Sequence, residues 1–206
     1  MALYLSIHPE NPQERLLQQA ADIVRNGGVL VYPTDSCYAL GCALGQKNAM
    51  ERIMNIRQID QKHHLTLMCA DLSQLGTYAR VDNSQFRLLK AVTPGSYTFI
   101  LQATKEVPAR TLHPKRKTIG LRVPDHIITL KLLQILNEPL LSCTLMLPNE
   151  EEPPTEGWMI QEALDYAVDA IIDGGYCGIN PTTVIDMTDG IELIRQGKGD
   201  IAALGL

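Results

Sequence analysis

The sequence predicts a single α/β domain spanning residues 1–206, and three observations lead to this class. Short apolar runs rich in β-branched residues alternate along the chain with amphipathic segments of helical periodicity. A chain of 206 residues is long enough to bury one sizeable core without disulfides or structural metals. Hydrophobic and charged residues make up 45% and 20% of it, which is typical of globular rather than disordered or membrane proteins.

The composition also narrows the cellular setting. No apolar run approaches the roughly 20 residues needed to cross a bilayer, and no basic-then-apolar leader opens the chain, so we expect a cytoplasmic protein without a membrane partner. The five cysteines show no C-x-x-C spacing, which favours reduced, mostly buried thiols. No metal site is predicted, because neighbours such as His63 and His64 point to opposite faces of a strand.

Charge is unevenly distributed along this acidic chain, whose net charge is -5. Residues 51–122 carry 12 Lys and Arg against 5 Asp and Glu, whereas residues 123–206 carry 3 against 14. A segment with a net charge of +7 suits a polyanion such as nucleotide phosphates or RNA. A solvated basic face is the open alternative.

The first predicted helix starts at residue 11 and leads into the first buried strand. Asn11 as N-cap, Pro12 at the first helical position and Glu14 three residues after the cap match a capping box, and Gly27 follows the last apolar position. Residues 29–32 then form a buried strand that Pro33 ends.

Polar residues 34–36 therefore follow a strand at its carboxyl end, where open α/β sheets bind ligands. An ordinary turn is the alternative interpretation of these residues. A second strand at 38–43 and a helix from Asn48 follow. Arg57 ends that helix, where it either binds a ligand or caps the helix through the dipole.

The remaining elements continue the alternation. A helix at 82–92 is predicted to bury Phe86, Val92 and either Leu88 or Leu89, and the Pro-Gly turn at 93–96 is assigned no chemistry. Residues 149–157 form an acidic, Pro-rich, solvated loop. Further strands are predicted at 65–69, 97–101 and 170–172, and the stretch 115–124 is interpreted as another. Further helices are predicted at 71–75, 125–136 and 159–167.

Arg122 is the most informative residue of the later strands. Thr118, Gly120 and Arg122 share one face of a strand, because alternate side chains point the same way. An arginine on an interior strand needs a partner, since an unpaired buried charge is costly. A carboxylate or phosphate ligand would serve, and so would an internal aspartate.

Several segments resemble one family. Residues 33–41 read P-T-D-S-C-Y-A-L-G, residues 118–124 read T-I-G-L-R-V-P, residues 181–186 read P-T-T-V-I-D and residues 194–197 read I-R-Q-G. These segments resemble, in the same order, the motifs of the YrdC/YciO family, which includes threonylcarbamoyl-adenylate synthases. The resemblance implies a twisted, mixed, open sheet flanked by helices, with a basic concave surface.

The resemblance also implies a reaction and its residues. Threonine, bicarbonate and ATP with Mg²⁺ would give threonylcarbamoyl-AMP and pyrophosphate, on the route to a modified adenosine in tRNA. The predicted ATP-binding residues are Arg57, Thr118, Thr144 and Arg195. The predicted threonine-binding residues are Thr34, Arg122, Ser142 and Thr182.

Two departures from the family motifs fall at the expected ATP site. Asn55 stands where the synthases have lysine, and Met146 stands where they have asparagine. Lys62 is a candidate for the next family lysine. These features resemble the YciO branch and predict weakened synthase activity, because each lost phosphate contact costs about ten- to a hundredfold in affinity. The alternative is a double-stranded RNA-binding or nucleotide-binding module without synthase activity.

Overall fold

We describe a computed structural model of the chain, covering residues 1–60, 63, 65–112 and 115–205. Within these residues the strands are β1 Leu3–Ser6, β2 Leu30–Tyr32, β3 Ala39–Ala43, β4 Thr66–Met68, β5 Tyr97–Gln102, β6 Thr118–Arg122, β7 Leu140–Thr144, β8 Ala170–Asp173, β9 Thr183–Asp186 and β10 Glu192–Arg195. The helices are α1 Glu14–Arg25, α2 Lys47–Arg57, α3 Leu72–Tyr78, α4 Asn83–Val92, α5 Ile127–Leu136 and α6 Gly157–Leu164. Short 3-10 turns lie at Ala109–Thr111 and Ile201–Leu204.

All the strands named above join one sheet in the order β1-β8-β2-β3-β7-β4-β6-β5-β9-β10. Parallel pairs join β8 to β1 and β2, β4 to β6, and β5 to β9, whereas the other neighbours are antiparallel. The predicted α/β class with a mixed, open sheet is confirmed. No helix in the described part of the chain is long and apolar enough to cross a membrane.

Helices cover the two faces of the sheet unequally. Successive side chains of β2 point to opposite faces of the sheet. Val31 therefore packs in one hydrophobic core, and Leu30 and Tyr32 pack in the other. The buried side chains of α2, α3, α4 and α6 join the first core, and those of α1 and α5 join the second. The second core contains no residue of β5, β6, β9 or β10, so this part of the sheet face is left without a helical cover.

The predicted capping box of α1 is wrong. The helix begins at Glu14 with Gln13 as N-cap, and no side chain caps it. Gln13 instead accepts the backbone N–H of His8 at 3.0 Å, so this side chain serves the preceding loop. A complete capping box occurs at α4, where Asp82 accepts the N–H groups of Ser84 and Gln85 at 2.8 Å.

Two further expectations need correction. Phe86 is 46% exposed because it lies on the outer side of α4, and Leu89 occupies the core position. Helix α6 begins at Gly157 and ends at Leu164, whereas the apolar pattern predicted residues 159–167. The buried, unpaired thiols predicted for the five cysteines are confirmed.

The contrast between the two caps gives a testable prediction. Replacing Asp82 with alanine should lower the free energy of unfolding by about 1 kcal/mol, because two backbone N–H groups lose their acceptor. The matched Asn11→Ala change should cost less than about 0.5 kcal/mol, since Asn11 does not cap α1. Urea denaturation measures both values, and equal losses would contradict this assignment of the caps.

Candidate functional site

The uncovered part of the sheet face contains a cavity of about 670 Å³. Strand register builds its floor, because Thr66 lies opposite both Ser142 and Gly120, and Gly120 lies opposite Ile100. Opposed residues on neighbouring strands point to the same face, so these four form a row across β7, β4, β6 and β5. A side chain at Gly120 would meet Thr66 Oγ1 at 3.0 Å, so glycine keeps this floor open.

Seven of the eight predicted site residues line this one cavity, although they are far apart in the sequence. They are Thr34, Arg57, Arg122, Ser142, Thr144, Thr182 and Arg195. Thr118 does not line it. It lies further along β6 in a neighbouring cavity of about 450 Å³, together with Gln102 and Asp186. Because Thr118, Gly120 and Arg122 alternate along β6, both cavities open on the same sheet face.

Arg122 has an internal partner, as one of the two alternatives predicted. Its guanidinium forms an ion pair with Asp35 and donates to Ser36 Oγ at 3.1 Å, and both charged side chains are less than 10% exposed. Ser96 donates to the other Asp35 oxygen at 2.7 Å. Arg122 Nε is buried without a hydrogen-bond partner among the described residues, so the guanidinium keeps a donor beyond its internal pair.

Hydrogen bonds within the protein decide what each hydroxyl can offer a ligand. Ser142 Oγ donates to the Leu40 carbonyl at 2.9 Å and lies 2.6 Å from the Tyr32 hydroxyl, which therefore acts as donor. A ligand at Ser142 would find a lone pair, which suits an N–H or O–H donor. Thr34 Oγ1 donates to the Cys37 carbonyl at 2.6 Å and accepts from Ser36 N–H at 3.2 Å, so its hydroxyl closes its own turn.

Arg57 reaches the cavity from the last turn of α2, and Gln58 ends the helix in a left-handed conformation. One guanidinium nitrogen donates to the Met146 carbonyl at 2.5 Å. Met146 therefore holds this arginine through its backbone, whereas its thioether lacks the donor and acceptor of the asparagine amide in the synthase motif. Arg57 Nε is buried without a partner among the described residues, so it keeps an unused donor.

Arg195 is positioned by the backbone of the neighbouring segment. Its Nε and one terminal nitrogen donate to the Thr182 carbonyl at 3.3 and 3.0 Å. Thr182 Oγ1 lies 2.8 Å from Thr98 Oγ1, which also lines the cavity. Gly197 permits this close approach, because a Cβ there would lie 2.3 Å from the Pro181 carbonyl oxygen.

Sequence reasoning missed two residues of this cavity, Thr98 and His63, and the partner of Arg122. Thr98 was placed in a segment without assigned chemistry, although it alternates with Ile100 on the face that lines the cavity. His63 lines the cavity near Arg57, and its place in a loop gave no periodic signal. Asp35 lies in the signature loop, but only the fold shows that it pairs with Arg122.

The cavity is positively charged. Arg57 and Arg195 line it together with Arg122, whose charge is offset by its pair with Asp35, and the described lining contains no aspartate or glutamate. Cys37 and Cys143 also line it, but burial raises the pKa of Cys143 to about 11 and raises that of Cys37. A protonated thiol is a poor nucleophile, so these two cysteines are unsuited to covalent catalysis, whereas the arginines can interact with anions.

These side chains do not form a protein site for Mg²⁺, which prefers carboxylate and phosphate oxygens. No group of three or more metal-ligating side chains occurs in the described part of the chain. Any Mg²⁺ would therefore arrive with a phosphate ligand, as part of the substrate.

The acidic loop at residues 149–157 contributes to the cavity wall. Its glutamates are exposed, as predicted, but Pro153 and Pro154 are buried and Pro153 lines the cavity. The interpretation of the whole loop as solvated is therefore wrong for the prolines. Lys62 and His64, which entered the sequence predictions, lie outside the described residues.

Comparisons with known proteins identify the family and the fold of the chain. A family model for Sua5, YciO and YrdC proteins, described as telomere recombination, matches residues 22–197. The uncharacterized YciO protein of Escherichia coli K12 is 57% identical over 98% of both chains, and a crystal structure of E. coli YciO superposes with a TM-score of 0.95 over 99% of this chain and 100% of that one.

One more distant relative has a named activity, and another has been solved with a bound ligand. The threonylcarbamoyl-AMP synthase of Vibrio vulnificus is 29% identical over 88% of this chain and 98% of its own. P. abyssi Sua5 complexed with L-threonine has a TM-score of 0.87 at 26% identity, over 95% of this chain and 58% of that one. The match of the family model and the identity to YciO show that the chain belongs to the Sua5/YciO/YrdC family.

Proposed function

We propose that this chain is a threonylcarbamoyl-AMP synthase-like enzyme that binds ATP and threonine in the cavity on the open sheet face. The observation that carries the proposal is the convergence of seven predicted ligand-binding residues on one cavity lined by arginines and by no described carboxylate. The threonine complex of P. abyssi Sua5 supports the amino-acid half of the proposal.

The polar groups suit the two ends of an amino acid. The guanidinium of Arg122, which lines the cavity, would bind the threonine carboxylate. The available lone pair of Ser142 would accept from the nitrogen of threonine. Because Asp35 and Ser36 already fix the Arg122 guanidinium, little conformational entropy would be lost when the ligand binds.

The reaction itself needs positioning more than covalent chemistry. The threonine amine and bicarbonate condense to a carbamate as the new N–C bond forms and water leaves, and a carbamate oxygen then attacks the α-phosphorus of ATP. The bond from that phosphorus to the bridging oxygen breaks, and pyrophosphate leaves with the electron pair. Arg57 and Arg195 would stabilise negative charge on the phosphates, and the cavity would hold the reactants in line. No step requires a thiolate, in agreement with the raised pKa of Cys143.

Pyrophosphate release tests the proposal directly. The purified protein is incubated with ATP, threonine, bicarbonate and Mg²⁺, and pyrophosphate is measured against the boiled protein. We expect release that depends on threonine, at a rate below that of a synthase with intact lysine and asparagine motifs. Release equal to the boiled control would overturn the proposed activity, and turnover only with other amino acids would change its substrate.

A second candidate, double-stranded RNA binding, has one observation in its favour. Eight lysines and arginines between residues 80 and 117 have exposed side chains, namely Arg80, Arg87, Lys90, Lys105, Arg110, Lys115, Arg116 and Lys117. If these cations contact phosphates, the affinity for an RNA duplex should fall steeply as the salt concentration rises. Affinity that stays constant with salt would exclude a phosphate-binding surface.

A further inference from the structure

His63 is a titratable residue of the cavity to which the proposed reaction gives no role. It lies in the short connection between α2 and β4, where its backbone N–H donates to the Asp60 carbonyl at 3.1 Å. Its side chain lines the same cavity as Arg57 and Arg195. An imidazole beside two guanidinium groups is an unfavourable place for a third positive charge unless an anion occupies the site.

The charged groups near His63 make its protonated form less favourable in the free protein. Partial burial, followed by repulsion from Arg57 on α2, lowers the pKa of His63 below its usual value, and Arg195 on β10 acts in the same direction. Asp60, in the turn after α2, is the facing group that opposes this change. No aspartate or glutamate in the described lining offers His63 a permanent partner.

We propose that protonated His63 is a phosphate-binding residue that joins Arg57 and Arg195, an inference that rests on the proposed nucleotide function. A triphosphate between these side chains would add a much larger negative charge beside His63 than Asp60 provides. The imidazolium would donate a charge-assisted hydrogen bond to a phosphate oxygen. The neutral imidazole would not be repelled by Arg57 and Arg195, but it would bind phosphate only weakly.

The sign of the pH dependence follows from linkage. The free protein has a lowered pKa at His63, and a bound polyanion would raise it. ATP affinity therefore rises as the pH falls through the pKa of the bound form and levels off below that of the free form. An arginine or lysine in this place would give the same contact at every pH in this range.

The test measures the binding of MgATP by calorimetry between about pH 5.5 and about pH 8, where histidine changes its charge. The proteins are the unaltered chain, His63→Gln, His63→Lys and the control His8→Gln, since His8 lies outside the cavity in the exposed loop before α1. At each pH the ATP affinities of two of these proteins are compared as a ratio. The effect of the protonation of ATP itself then cancels, because it is the same for both proteins.

We expect the unaltered chain to bind ATP about tenfold more tightly than His63→Gln at the lower pH and about equally at the higher pH. His63→Lys should keep the tenfold advantage throughout, and His8→Gln should match the unaltered chain. ATP binding with a constant ratio between the unaltered chain and His63→Gln would overturn this inference alone. Failure of the unaltered chain to bind ATP at any pH would overturn the proposed function as well.

Discussion

Replacing Arg122 with methionine is expected to lower the free energy of unfolding by about 3–5 kcal/mol, because the change leaves the buried Asp35 carboxylate without its cation. Methionine keeps much of the volume, so the loss reports the charge rather than a cavity. Chemical denaturation with a two-state fit measures the effect.

Two further variants separate the ion pair from general damage. The double change Asp35→Asn with Arg122→Met should recover part of the loss, since the uncompensated charge is then absent. The matched control Arg52→Met breaks a pair with Asp169 whose side chains are both 40% exposed, so its cost should stay below about 1 kcal/mol. If Arg122→Met cost no more than Arg52→Met, the buried pair would not have the structural role described.

Replacing Arg57 with glutamine is expected to weaken ATP binding by about ten- to a hundredfold, because a charge-assisted phosphate contact is lost. The same change should lower the rate of pyrophosphate release at ATP concentrations below saturation. Calorimetry and the pyrophosphate assay measure the two effects.

The matched control for Arg57 is Lys47→Gln, which makes the same charge change at the exposed first residue of the same helix. This variant should bind ATP as the unaltered chain does, since its ammonium pairs with Glu51 at 3.6 Å outside the cavity. Equal weakening by the two variants would indicate a general effect of net charge, and the specific role of Arg57 would be wrong.

Much of the fold followed from local patterns. Strand β2 was predicted because an apolar run ends at Pro33, and the alternation on β6 correctly placed Gly120 and Arg122 on one face. The helix starts were less certain. The sequence at Asn11 matches a helix cap, but the helix begins at Glu14 and the Gln13 side chain accepts the backbone N–H of His8 in the preceding loop. Only the packed structure shows which of the two arrangements occurs.

The candidate site was predictable where a short motif places a polar side chain at a strand end, as at Thr34, and where the family resemblance points to a single position, as at Ser142. It was not predictable where tertiary contacts decide the outcome. The partner of Arg122 lies 87 positions away in the sequence, and no local pattern connects the two. His63 lines the cavity from the connection that leads into β4, and the place of β4 between β7 and β6 is a property of the sheet order.

A crystal structure of the protein soaked with ATP and threonine would show most directly whether the arginine-lined cavity is the ligand site. We expect the phosphates against Arg57 and Arg195 and the threonine carboxylate against Arg122, whose pair with Asp35 remains formed. Ligands bound on another surface, with the cavity filled only by water, would contradict this assignment.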